Sequence, residues 1–254
     1  MRAPTRLAAL GLLALLALLL SPPMAQAAVA QTADEVVSRY VTARGGLEAW
    51  KKVNSLRMAG TYTTFSQEQP MRLIWRRPNL FRFETNYLDG PVAFGHDGKE
   101  LWWSLHFADE GKVGKPDQPQ EALLDQQMET EPLLIDYAAK GHKVELVGRG
   151  AIDGQTTVDL KVTRKDGLVE TWHLDPSTYL EVAVDSTVYD MTQKADPMAQ
   201  RAYFSDFKKV GEILLPHRIE KEYGARYALL TILEVQINPV LPESAFAPRG
   251  PDKG

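Results

Sequence analysis

The chain has 254 residues, 44% of them hydrophobic, 24% charged and 9% aromatic, with a formal net charge of -4 and no cysteine. This is a globular composition, neither disordered nor collagenous. The missing cysteine excludes disulfide frameworks, thiolate metal sites, iron–sulfur clusters and cysteine nucleophiles, and the mild negative charge offers nucleic acid no basic footprint.

Residues 1–27 read as a secretory signal peptide. Arg2 and Arg6 precede an apolar run from Leu7 to Leu20, broken only by Gly11, and Ala25-Gln26-Ala27 forms a small-residue cleavage site. The run is short for a membrane span of about 20 residues. Cleavage is expected after Ala27, with Ala28-Val29-Ala30 as a second site. No cysteine stands there to carry a lipid, so a free, exported product is expected, with residues 28–254 forming one domain.

A helix capped by Thr32 or Asp34 should open that domain, since Val36, Val37, Tyr40 and Val41 recur at helical spacing. Gly45-Gly46 breaks it, and Leu47, Trp50 and Val53 continue an apolar stripe in a short second turn. Strand patterns follow at 56–65, 71–76, 80–85, 92–96 and 101–107, punctuated by Pro78-Asn79, Asp89-Gly90-Pro91 and Asp97-Gly98. Short runs at regular spacing favour an antiparallel meander. Residues 111–119 read as a polar loop. Two helices, 121–129 and 133–140, are expected on either side of Pro132, making a helical insert near 117–141. Strands then resume at 143–149, 156–164, 168–174, 180–189, 201–210, 214–223 and 225–237.

Several strands alternate with period 2, which places each apolar set on one face of a sheet. Met71, Leu73 and Trp75 oppose Arg72, Ile74 and Arg76; Phe81 and Phe83 oppose Arg82 and Glu84. Leu101, Trp103, Leu105 and Phe107 oppose Trp102, Ser104 and His106; Leu180, Val182, Val184 and Val188 oppose Glu181, Asp185 and Thr187. An apolar face must be covered. Two readings follow. The side chains pack into an ordinary core, or a strongly curved sheet leaves part of its inner face open as an apolar cavity.

Chemistry-bearing motifs are sparse. No G-x-S-x-G, H-E-x-x-H or S-x-x-K pattern occurs, and the five histidines are scattered. His96-Asp97 sits at a hairpin turn, and His106 and His173 could share a metal only if the fold joined them. No catalytic residue, metal site or cofactor is expected. A binding protein is therefore expected rather than an enzyme, a periplasmic hydrolase with an unrecognised site being the remaining alternative.

The stretch LIWRRPNLFRF at Leu73–Phe83, followed by HDGKELWW at His96–Trp103 and SAFAPRGP at Ser244–Pro251, resembles the LolA-like periplasmic lipoprotein carriers. ARGGLEAWKKVNSLRMAGTY at Ala43–Tyr62 is similar to the opening of outer-membrane lipoprotein-sorting proteins. The resemblance implies a mainly β fold, an incomplete antiparallel β-barrel covered by an N-terminal helix and a central helical lid over an apolar cavity. It implies a periplasmic monomer that binds acyl chains of lipoproteins or another lipid, meets membranes transiently, and works between an inner-membrane transporter and an outer-membrane acceptor. A lipid- or lipoprotein-sensing adaptor with the same fold is the alternative. The cavity candidates are Leu73, Trp75, Phe81, Phe83, Phe94, Leu101, Trp103 and Leu105. By position, Phe81 matches the family's aromatic residue at the cavity mouth, and Arg77 the arginine that ties barrel to lid. The plain alternative for Arg77 is an exposed side chain paired with a carboxylate such as Glu84.

Overall fold

The computed structural model describes residues 31–87, 90–107, 112–116, 129–188 and 197–250. The expected signal peptide and residues 117–128 of the expected insert lie outside them. Helix α1 (Ala33–Ala43) starts at Thr32, whose hydroxyl accepts from Glu35 N at 3.2 Å while Glu35 returns a carboxylate to Thr32 N at 2.9 Å. This reciprocal box satisfies two otherwise orphaned amides. Val36, Val37 and Tyr40 are buried. Gly45 ends the helix at φ +109°, where a Cβ would stand 2.4 Å from Glu212 O, so only glycine fits. Helix α2 (Leu47–Lys51) follows and buries Trp50.

Strands β1 (Ser55–Thr64), β2 (Gln67–Arg76), β3 (Leu80–Tyr87), β4 (Gly90–Asp97), β5 (Leu101–Leu105) and β6 (Val113–Gly114) form one antiparallel meander. A second contains β7 (Lys143–Ile152), β8 (Gln155–Thr163), β9 (Val169–Leu174), β10 (Glu181–Val188), β11 (Met198–Val210), β12 (Ile213–Tyr223) and β13 (Arg226–Ile237). Antiparallel pairing of β1 with β13 fuses them into one 13-stranded sheet, ordered β6-β5-β4-β3-β2-β1-β13-β12-β11-β10-β9-β8-β7. β6 and β7 remain unpaired with each other, so the curved sheet is mainly β, antiparallel and open. β6 falls inside the expected polar loop; two residues are too few for a periodic signal. The described residues from Thr32 onward form one compact unit.

Three register shifts bend the ladder, at Ala59/Gly60, Leu146/Gly148 and Glu181/Ala183. A bulge adds one residue and exchanges the faces that neighbouring side chains occupy. The last of these overturns the expected alternation of β10. Glu181 turns inward with Val184 and Ser186, whereas simple alternation places it opposite Val184.

Residues 133–141 fold as consecutive turns rather than the expected helix over 133–140. Ile135 N donates to Pro132 O, and Asp136 then adopts φ +53°, a left-handed conformation that interrupts a helix. Leu133, Leu134 and Ile135 are nonetheless buried against the inner face. On the outer face the C-terminal segment, with a 3-10 turn at Glu243–Phe246, packs Leu241 and Phe246 on Leu80 and Ile74. Trp102 lies beneath it, 1% exposed, donating to Phe246 O at 3.1 Å. The outer face here is thus covered rather than solvated.

Candidate functional site

The inner face of the sheet encloses a two-lobed hollow. The larger lobe has about 230 Å3 and is lined by Met58, Met71, Leu73, Phe81, Phe204, Ile219 and Ile232 among others. The smaller has about 150 Å3, walled by Tyr62, Phe83, Tyr87, Val92, Phe94 and Leu105. Leu73, Phe81, Gln200, Lys221 and Leu230 line both, so the lobes meet along this row. Together they reach the lower end of the ~300–1,000 Å3 typical of small-molecule sites.

Five of the eight expected cavity residues face this space: Leu73, Phe81, Phe83, Phe94 and Leu105. The other three share the inner face but line neither lobe. Trp75 and Leu101 are 6% and 3% exposed within the main core, and Trp103 is half-buried beside Gly114 of β6. Part of the inner face is thus filled by packed side chains, and part opens into the lobes.

Residues Glu129–Leu133 lie across the larger lobe. Arg77 holds this segment. Its Nη2 pairs with Glu131 Oε1 at 2.6 Å, while its Nε donates to Val53 O at 2.8 Å. Glu84 is not its partner; that carboxylate pairs with Arg82 on the outer face. Lys140 also reaches Glu131, at 3.5 Å, and Tyr137 donates to Asp34 of α1 at 2.7 Å.

Neither a family model nor a curated protein matches the chain. Solved structures do. A DUF1329 family protein from Desulfovibrio piger superposes with a TM-score of 0.57 at 10% identity, covering 85% of this chain and 97% of that one. A LolA superfamily protein from Nitrosomonas europaea gives 0.55 at 11% identity, covering 86% and 98%. The fold is LolA-like. At this identity the likeness is one of architecture, because function lives in sites grafted on folds.

Inside the LolA-like hollow, three polar features stand out that sequence patterning missed. Arg44, at the end of α1, is 1% exposed and pairs with Glu181. It also donates to Leu214 O at 2.8 Å and to the Tyr40 hydroxyl at 3.0 Å. Burial opposes the Arg44 charge, but Glu181 outweighs it and holds the pKa up; burial likewise pushes the Tyr40 phenol well above its usual range. Among the described residues, Glu181 Oε2 has no partner. Lys221 projects into the waist between the lobes, where burial alone lowers its pKa. One signal could have found it: Leu215, Ile219, Lys221 and Tyr223 share parity along β12.

Four of the five histidines are hydrogen-bonded, whereas the buried His106 Nδ1 has no partner among the described residues. His96 Nδ1 accepts from Gly98 N at 2.9 Å, and Asp97 accepts from the amides of Lys99 and Glu100, which is turn chemistry. His106 packs edge-on against Phe107. His173 places one ring nitrogen 2.9 Å from Asp159 and the other 3.3 Å from Asp185. That leaves it no nitrogen for a hydroxyl nucleophile. Among the described residues no group of three or more histidines, aspartates or glutamates could hold a metal, and no helix is long and apolar enough to cross a membrane.

Proposed function

We propose that the protein is a lipid carrier of the cell envelope. It binds acyl chains of lipoproteins or another lipid in the two-lobed hollow and moves them between the inner and outer membranes. The observation that carries this reading is the hollow itself: apolar space on the inner face of an open sheet, left unfilled although large side chains pack tightly beside it. Protein interiors are normally close-packed, and retained apolar volume forfeits contacts. A ligand restores them.

In this reading residues 1–27 direct export to the periplasm, and residues 28–254 act as one domain that touches membranes only transiently. Leu73, Phe81, Phe83, Phe94 and Leu105 bind the chain. The segment around Glu131 is the movable cover, and Arg77 is its latch. Each buried methylene contributes about 0.8 kcal/mol, so one chain binds strongly. The closed, empty state competes with cargo and lowers the apparent affinity, which permits release. An inner-membrane transporter and an outer-membrane acceptor would complete the route.

The test is to purify the protein from its native envelope, extract it with solvent and look for lipid by mass spectrometry. Near-stoichiometric lipid is expected. Leu73→Trp, which fills the waist without adding charge, and Phe81→Glu should both lose it. Absence of lipid from the wild type, together with no uptake from vesicles, overturns the reading.

A further inference from the structure

Among the described residues, Lys221 lines both lobes of the hollow with no carboxylate paired to it. The four carboxylates of the larger lobe are engaged elsewhere: Glu129 and Glu170 by Arg164, Glu131 by Arg77, and Glu181 by Arg44. Among the described residues, no carboxylate lines the smaller lobe, whose charged side chains are Lys221 and Arg226. Lys221 makes no hydrogen bond or ion pair within the described residues. Its cross-strand neighbours are Ala202 and Ala228, small residues that leave space around the ammonium and offer no acceptor. Several lysines on the outer surface are paired. Lys52, Lys161 and Lys208 all meet carboxylates, at 2.9, 3.3 and 2.7 Å.

Lys221 is half-buried, and its side chain faces the open hollow with no protein carboxylate paired to it, so its ammonium is available to an anion that enters. We propose that Lys221 binds the acidic headgroup of a single-chain amphiphile whose hydrocarbon tail lies in the lobes it joins. The proposal rests on the carrier reading and adds the class of ligand. Lobes of about 230 and 150 Å3 suit one chain rather than several. Gln200, which lines both lobes and donates to Ser186 at 3.3 Å, supplies a neighbouring amide to the same headgroup.

The experiment uses delipidated protein loaded with the neutral fluorescent probe phenylnaphthylamine. Laurate and dodecanol, which share a chain and differ in headgroup charge, compete it off. Wild type should favour laurate by tenfold or more. Lys221→Met should remove that preference while still binding probe and dodecanol; Lys221→Arg should keep it. Dodecyl phosphate forms a third arm. Better displacement by laurate assigns a fatty carboxylate, and better displacement by the phosphate assigns a phospholipid-type headgroup. Either result, if abolished in Lys221→Met, supports the pairing. Equal displacement by laurate and dodecanol in wild type, or an unchanged preference in Lys221→Met, overturns it and leaves the carrier reading intact. Failure of wild type to bind the neutral probe removes both.

Discussion

Arg44 and Glu181, 137 positions apart in sequence, meet beside the hollow, one closing the first helix and the other opening β10 at its bulge. They are 1% and 3% exposed. The guanidinium also lies over the rings of Tyr40 and Trp50, at 5.7 and 5.6 Å, so helix and sheet are joined through one cation.

Removing one member of such a pair strands a charge away from water. Arg44→Met or Glu181→Leu should each cost about 3–5 kcal/mol of stability. The double variant should recover much of that loss, since neither charge is then left uncompensated. Urea unfolding of the four proteins checks this; losses that simply add would contradict it.

The latch should behave otherwise. The Arg77 side chain is 34% exposed while Glu131 is 9% exposed, but Lys140 lies 3.5 Å from the same carboxylate and keeps it paired, so losing Arg77 should cost only about 1 kcal/mol of stability. Arg77→Leu should therefore change the melting temperature little. It should slow delivery of bound lipid to acceptor vesicles, because a weakened closed state competes less well with cargo. Normal delivery rates in this variant would remove the latch role.

A pH dependence follows from His142, which is 7% exposed and whose Nδ1 accepts from Lys165 N at 3.1 Å. Burial first, and then the Arg164 cation, hold its pKa at about 4, against an unfolded value near 6.5. Between these values the unfolded chain binds a proton that the folded protein refuses. Stability should fall as pH drops from about 6.5 to about 4, and be indifferent to this group above that window. His142→Gln should flatten the decline in urea midpoint from pH 7 to pH 4.5. An identical decline in both proteins would count against it.

The C-terminal segment should be structural. Phe246 is 0% exposed against Leu80, and Arg82 donates to the carbonyls of Ala247 and Gly250 at 3.2 and 2.9 Å. Phe246→Ala should cost about 3–5 kcal/mol, lower the melting temperature and raise Trp102 fluorescence quenching by acrylamide. Lipid uptake by the fraction still folded should be unchanged.

Along the first meander much of this was readable before folding was considered. Alternation alone puts Leu73, Phe81, Phe83 and Leu105 on one face, and the helix start at Thr32 carries its own capping box. Patterning went wrong where local spacing was broken. The bulge at Glu181/Ala183 reversed a face, and a left-handed Asp136 replaced helix with turns; the cover that the C-terminal segment lays over Trp102 has no local signal.

The sequence by itself determined the strand-rich character, the turns and which side chains of β2 to β5 share a face, because these depend on neighbours two to four residues apart. Tertiary structure alone decided that β1 would pair with β13, that Trp75, Leu101 and Trp103 would be packed in while Leu73 and Phe94 face open space, and that Lys221 would stand unpaired between two apolar lobes. Those outcomes depend on groups more than a hundred residues apart competing for the same interior volume, a competition that no local period records.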